Sequence, residues 1–250
     1  MKITGIIPAR FASTRFPGKP LIDIAGKSMI RRVYEQASSS SMLSQVIVAT
    51  DEERIYQHVS AFGGKVQMTS TVHQSGTDRC AEVALTHQDS DAFINIQGDE
   101  PFIDPRQIDL ICNCFSDPQV TLATLVKKID DFTELKNHNT PKVIFNKNLE
   151  AIYFSRSPIP FIRDHDEQEW LNNYTFYKHI GIYGYRKEAL AQITGLPVSG
   201  LEQAEALEQL RWIENGLRIK VAITDLESIA IDTPHDLERA LSHLNPPSAS

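Results

Sequence analysis

Three cations crowd one short segment near the N-terminus. The stretch "IIPARFASTRFPGKP", residues 6–20, carries Arg10, Arg15 and Lys19 among small residues, prolines and Gly18. Arginine offers a planar fork that fits phosphate oxygens, and lysine a mobile point charge. Three such groups balance much of the charge of a triphosphate, and Gly18, next to Pro17, lets backbone amides come close. Neither common glycine cradle is present. The pattern G-x-x-x-x-G-K-[ST] fails in "LIDIAGKS", where Leu21 stands at the leading glycine position. No G-x-G-x-x-G follows the first apolar run. An anion held here must be held by side-chain charge.

Carboxylates occur in two comparable places. "FINIQGDEP" puts Asp99 and Glu100 directly after an apolar run, and "IAIDTPHDLE" puts Asp232 after another. Carboxylate oxygens suit a hard divalent cation, and magnesium commonly binds through one or two of them plus substrate phosphates. If the two strand ends meet, Asp99 and Asp232 share a magnesium ion. Cations and carboxylates on one sheet edge point to nucleotidyl or phosphoryl transfer, with charge on the phosphorus centre and leaving group stabilised electrostatically.

The elements that must position these groups alternate in the first half. "KITGIIP", "QVIVAT", "KVQM" and "DAFINIQ" read as strands. "SMIRRVYEQAS" reads as a helix capped by Ser28, with Met29, Ile30, Val33 and Tyr34 on its apolar stripe. "DEERIYQHVSAF", stopped by Gly63-Gly64, "GTDRCAEVALTH", with Thr77 as its cap, and "DPRQIDLICNCF" read as further helices. Alternation with short connections predicts an α/β fold, a mostly parallel, Rossmann-like sheet flanked by helices. Such sheets bind ligands at the carboxyl ends of their strands, near the point where strand order reverses. "ARFASTRFPGK", "TSTVHQSGTDR" and "QGDEP" all follow strands and are expected to gather there.

The second half changes character. "VTLATLVKKI", "PKVIFN", "LEAIYFSR" and "YKHIGIYGYR" read as strands without regular helices between them, an antiparallel or mixed extension of the sheet. "GLEQAEALEQLRWIENG" reads as one helix with Leu207, Leu210, Ile213 and Leu217 facing the core; "RIKVAIT" reads as a strand. "TPHDLERALSHL" reads as a closing helix with Thr233 at its cap and Pro234 at its first position. The expectation is one nucleotidyltransferase-like domain over residues 1–250, a β-rich lobe inserted at about 142–185, and a disordered tail at 245–250.

Bulk properties narrow the partners. At 250 residues the chain can bury a core without disulfides. A net charge of -7 argues against a non-specific nucleic-acid or membrane-surface binder. Cys80, Cys112 and Cys114 are few and odd in number, which fits reduced thiols and a cytoplasmic protein. Cys112 and Cys114, two apart on a helix, do not share a face and so do not form a metal pair. "MKITGII" has no signal-peptide core, and no apolar run approaches the roughly 20 residues that span a bilayer.

Seven segments in order, "IIPARFASTRFPGKPL", "HQSGTDR", "NIQGDEP", "YFSRSPIP", "HIGIYGYR", "LEQAEALEQLR" and "IDTPHDLE", closely resemble the CMP-Kdo synthetase (3-deoxy-manno-octulosonate cytidylyltransferase) family over about Lys2 to Leu244. The first alone would mark only the wider nucleotidyltransferase class. The resemblance implies that CTP and a Kdo-type sugar give the CMP-sugar and pyrophosphate, for lipopolysaccharide assembly, with Mg²⁺. It implies that Arg10, Arg15 and Lys19 hold the triphosphate and act in catalysis with Asp99. It places cytosine near Pro8, Ala9, Gln74 and Ser75, and the metal on Asp99 and Asp232. It maps Gln97, Arg156, His179, Tyr183, Glu208 and Gln209 onto the sugar pocket, with Arg156 toward the sugar carboxylate. His179 and Tyr183, four apart on a strand, share a face. The general base stays unassigned. A related acid sugar, such as 8-amino-Kdo or sialic acid, or an inactive nucleotide-sensing homologue, is the alternative. The resemblance also implies a homodimer through residues 150–185.

Overall fold

A computed structural model describes residues 1–11, 16–227, 230–231, 233, 235–238 and 241. Arg15, Asp232, Pro234 and the 245–250 tail, all singled out from the sequence, lie outside the described residues. The chain divides into two compact units, Met1–Asp109 with Glu227–Ser250, and Leu110–Leu226. The 142–185 segment lies within the second.

The first unit opens with β1 (Ile3–Ala9), whose Ile3, Ile6 and Ile7 are buried. A short hairpin, β2 (Asp23–Ile24) and β3 (Lys27–Ser28), leads into α1 (Met29–Ser38). Ser28 caps α1 by accepting from the Arg31 N–H, and Met29, Ile30 and Val33 are its buried face. Then follow β4 (Gln45–Thr50), α2 (Glu53–Ala61), β5 (Val66–Met68), α3 (Gly76–Thr86), β6 (Ala92–Asn95) and α4 (Pro105–Cys114), where the division between units falls. Apart from the antiparallel β2–β3 hairpin, the strand pairs here are parallel, in the order β6-β1-β4-β5.

That order locates the site. The chain winds outward from β1 to β4 to β5, then α3 returns it to β6 on the other flank of β1. Strand order reverses between β1 and β6, and the loops after these two strands flank the crevice left there. The α3 cap is Ser75, not Thr77. Ser75 has extended backbone, accepts from the Asp78 N–H, and has its own N–H bound by the Asp78 carboxylate, a complete capping box. Thr77 is already inside the helix and buried.

The second unit holds β7 (Leu122–Lys128), α5 (Phe132–Lys136), β8 (Lys142–Phe145), β9 (Ala151–Ser155), α6 (Trp170–Asn173), β10 (Tyr177–Arg186), α7 (Lys187–Thr194), α8 (Gly200–Glu205), α9 (Gln209–Glu214) and β11 (Lys220–Ile223). β10 pairs antiparallel with β7 and β8, β8 pairs antiparallel with β9, and β11 lies parallel to β7. The mixed character expected of the second half is present. A cluster of Ile129, Leu135, Trp170 and Phe176 seals α5 and α6 against β7 and β10.

One expected element is broken. The segment read as a single helix over 200–216 is two helices, because Ala206 turns left-handed at φ 50°, ψ 50°. The break rotates the second half. Leu207 and Leu210 remain buried, but Trp212 is the next fully buried side chain, while Ile213 and Leu217 are only half-buried.

No helix among the described residues is long and apolar enough to cross a membrane. The three cysteines are free thiols.

Candidate active site

The nucleotide-side candidates belong to the first unit. Three loops converge on Pro8 at the end of β1. A Cβ on Gly98 would lie 2.8 Å from the Pro8 carbonyl oxygen, so only glycine lets the loop after β6 come this close. A Cβ on Gly76, at the start of α3, would lie 3.4 Å from Pro8 Cγ.

The cationic loop leaves β1 at Arg10 and is closed at its neck by the Gly18 N–H, which donates to the Phe11 carbonyl at 3.1 Å. Gly18 takes φ 73°, the left-handed turn that starts the 3-10 turn Lys19–Leu21. Lys19 is thereby aimed at the other loop. Its Nζ lies 2.8 Å from Asp99 Oδ2, with side chains 11% and 31% exposed. The backbone of Asp99 also accepts from the Ile231 N–H at 2.9 Å. Ile231 packs with Ile24 and Met29, and with Phe16, Phe102, Leu237 and Leu241, so the C-terminal segment is seated on the first unit. Thr233 caps the helical residues 235–238 as expected: its hydroxyl accepts from the Asp236 N–H at 3.3 Å, and Asp236 Oδ2 accepts from the Thr233 N–H at 2.9 Å.

Arg10 donates from Nη2 to the His73 carbonyl at 2.6 Å, tying the cationic loop to the "HQSG" loop. The far side of that loop is held by Glu82, which accepts from the Ser70 N–H at 2.9 Å and pairs with His73. Burial, and then the like charge of Arg79, hold the Arg10 guanidinium below its ordinary pKa. Arg79 itself is fully buried and donates to Asp51 Oδ2 at 2.7 Å and to the Thr69 hydroxyl. Asp51 follows β4 directly and went unremarked in the sequence, although "VIVATD" carries the same signal as "FINIQGD": a carboxylate straight after an apolar run. Gln74 is exposed, with its amide on the Val72 carbonyl at 3.0 Å. Gln97 is half-buried after β6, near the same strand end as Asp99.

The sugar-side candidates, Gln97 apart, belong to the second unit. His179 and Tyr183 do share a face: their rings lie 5.1 Å apart, and Phe154 meets the His179 ring edge-on at 5.2 Å. Burial pushes the His179 imidazole down to about 3, so it is neutral near pH 7. Burial also raises the Tyr183 phenol well above its ordinary value, with Tyr185 and Glu208 adding to the effect. Among the described residues, Tyr183 Oη, Gln209 Nε2 and Trp212 Nε1 are buried without a hydrogen-bond partner. The Tyr183 and Trp212 rings meet edge-to-face at 5.0 Å. Buried polar atoms are rarely left unpaired, so this cluster suits a ligand that supplies the missing partners. Trp212 was hidden in the sequence because an unbroken helix would not have singled it out as core.

Arg156 is engaged with backbone rather than free. Its Nε donates to the Glu205 carbonyl at 2.6 Å, Nη2 to Ala206 at 3.1 Å and Nη1 to His138 at 3.0 Å. Glu205 answers by accepting from the Arg156 N–H at 2.9 Å and the Ser155 hydroxyl at 2.7 Å. Beneath it, Lys142 is buried on the Asn137 and Thr140 carbonyls, and burial followed by the charge of Arg156 lowers it to about 8.

A parallel α/β unit with lysine, arginine and carboxylate at its switch point defines a nucleotidyltransferase. The chain belongs to the cytidylyltransferase family, whose model matches residues 4–219, and within it to the 3-deoxy-manno-octulosonate cytidylyltransferases. It is 59% identical to the 3-deoxy-manno-octulosonate cytidylyltransferase of Parabacteroides distasonis over 249 residues, 98% of each chain. It is 57% identical to that of Bacteroides thetaiotaomicron, over 96% of this chain and 97% of the relative. The solved structure of CMP:2-keto-3-deoxy-manno-octonic acid synthetase complexed with CTP superposes with a TM-score of 0.91 at 43% identity, covering 98% of each chain.

Proposed function

We propose that this chain transfers CMP from CTP to 3-deoxy-D-manno-octulosonate, releasing pyrophosphate and supplying the activated sugar for lipopolysaccharide biosynthesis. The observation that carries the reading is the Lys19–Asp99 pair at the switch point, in a chain 59% identical to a relative of that name.

In this reading Arg10, Arg15 and Lys19 receive the triphosphate and stabilise charge that builds on the leaving pyrophosphate. Pro8, Ala9, Gln74 and Ser75 line the cytosine. The Ser75 hydroxyl is occupied as a helix cap, so its part there is to fix the loop backbone. Gln97, His179, Tyr183, Glu208 and Gln209 meet the sugar. Arg156 meets its carboxylate with the donors left over from three carbonyl contacts. The sugar's anomeric hydroxyl attacks the α-phosphorus in line, and pyrophosphate leaves.

Magnesium belongs to the proposal. No group of three or more His, Cys, Asp or Glu is gathered among the described residues, which by themselves form no complete protein cage. The donor set fits magnesium all the same, because that ion commonly takes one or two carboxylates and completes its shell with phosphates and water. Asp99, with part of its carboxylate exposed, is one such ligand, and Asp232 the second. When bound, the ion neutralises triphosphate charge and polarises the reacting phosphoryl group. A homodimer through residues 150–185 is also proposed. Ile152, Phe161 and Tyr174 in that segment are exposed apolar side chains, and light scattering tests it.

Purified protein is expected to release pyrophosphate from CTP only with 3-deoxy-manno-octulosonate and Mg²⁺ together, and to stop on chelation. Release with sialic acid or an 8-amino sugar but not with this substrate would overturn the sugar assignment.

A further inference from the structure

β10 departs from regular pairing beside His179. Ile180 stands opposite Leu125 of β7, yet the next partner of β7, Thr124, stands opposite Tyr183. Gly181 and Ile182 fall in the bulge between them. Two extra residues preserve the alternation of faces, which is why His179 and Tyr183 remain neighbours. The hydroxyl of Thr124, a fully buried residue, sits in the concavity. Its Oγ1 lies 2.7 Å from the Ile182 carbonyl, 3.3 Å from the Ile180 carbonyl and 2.9 Å from His179 Nε2.

A threonine hydroxyl has one proton. The two carbonyls only accept. If the proton went to His179, Oγ1 and the Ile182 oxygen would face each other at 2.7 Å with nothing between them, an acceptor against an acceptor in a buried site. The proton therefore goes to Ile182, and Oγ1 turns a lone pair toward the imidazole. His179 must donate from Nε2. A neutral ring that carries its proton on Nε2 has a bare lone pair on Nδ1.

We propose that Thr124 is a positioning residue that locks His179 as the Nε2–H tautomer, so that Nδ1 meets the sugar as a hydrogen-bond acceptor from one of its hydroxyls. This rests on the reading of the second unit as the sugar side. It gives the pocket a polarity: Tyr183, Gln209 and Trp212 bring N–H and O–H groups, and His179 brings an acceptor. A pocket so divided selects a ligand by where it donates and where it accepts, and a substrate with the hydroxyl at that position removed leaves Nδ1 unpaired.

The neutral state of the ring and its contact with Thr124 favour a single tautomer, readable without substrate. Nitrogen-15 NMR of the intact protein, with His179 assigned through His179→Gln, is expected to show Nε2 protonated and Nδ1 bare. Thr124→Val removes the lone pair and the donor at near-constant shape. It is expected to mix the tautomers and raise KM for the sugar about tenfold, with KM for CTP unchanged. Thr124→Ser keeps the hydroxyl and is expected to restore both, which a purely structural loss would not do. A protonated Nδ1 in the wild type overturns the proposal. So does a well-folded Thr124→Val protein with the wild-type tautomer and wild-type sugar KM, or a Thr124→Ser protein that fails to rescue. If His179 is Nε2-protonated but the protein releases no pyrophosphate with 3-deoxy-manno-octulosonate, the tautomer lock stands, and the functional reading, with its sugar contact, falls.

Discussion

Lys19 Nζ lies 2.8 Å from Asp99 Oδ2, so the loop after β1 and the loop after β6 are joined by an ion pair across the point where strand order reverses. The two residues are 80 apart in sequence and meet because β1 and β6 are parallel neighbours with Ile6 opposite Asn95. Both side chains keep some exposure, which leaves the pair reachable by the triphosphate and magnesium proposed to bind there.

Lys19→Met removes the cation while keeping most of the stem. Hydrogen bonds to charged groups contribute about 1.5–3 kcal/mol each. CTP binding, followed by titration calorimetry, is expected to weaken by roughly 10- to 100-fold in consequence. Unchanged affinity would take Lys19 out of the nucleotide site.

Asp99→Asn preserves shape and an acceptor for Lys19 but loses the charge proposed to bind magnesium. Metal assistance supplies several kcal/mol of transition-state stabilisation, so kcat is expected to fall by about 100-fold or more. The thermal midpoint should barely move. A variant with ordinary turnover and ordinary magnesium dependence would remove Asp99 from the metal site.

Arg79→Met leaves Asp51 without its partner beneath the "HQSG" loop. Arg79 is 0% exposed, and truncating one member of a buried pair costs about 3–5 kcal/mol. Urea unfolding should register that loss. The double variant with Asp51→Leu should recover a large part of it, and failure to recover would show that the arginine acts by packing alone.

Two buried bases set pH windows for stability. His179 titrates at about 3 in the folded protein against an ordinary 6.5, so the unfolded chain takes up the proton first on acidification. Its contribution is complete above 6.5 and is lost as pH falls from 6.5 toward 3. Lys142 titrates at about 8 against 10.5, which has the same sign: stability is lower below 8 and rises between 8 and 10.5. Unfolding free energies measured across pH for His179→Gln and Lys142→Met should lose the acid and the alkaline slope respectively. Slopes identical to wild type would refute these assignments.

The first unit was largely legible from the sequence, because each apolar run there ends in a polar loop and parallel strands deliver those loops to one edge. Pro8, Lys19 and Asp99 follow from that logic. Asp51 obeys the same rule, but no second motif stands beside it in the sequence to single it out. The second unit was less legible, since its decisive features are tertiary. Ala206 is an excellent helix former by propensity, and its left-handed backbone, which costs about 1–2 kcal/mol for a residue with a Cβ, is imposed by Arg156 on the carbonyls of Glu205 and Ala206. In the sequence Thr124 is one more strand residue; only the bulge opposite it in β10 gives its hydroxyl a partner in His179.

The left-handed Ala206 leaves two helices of six residues each, α8 and α9, where the sequence offered one long rod. Helices shorter than about 12 residues do not persist alone in water. Each therefore borrows its order from the strand that Arg156 extends, and Glu208 and Gln209 are presented only while that strand is docked. Amide exchange over 200–214 should accordingly rise and fall in step with β9, as one cooperative leaf rather than as a frayed end.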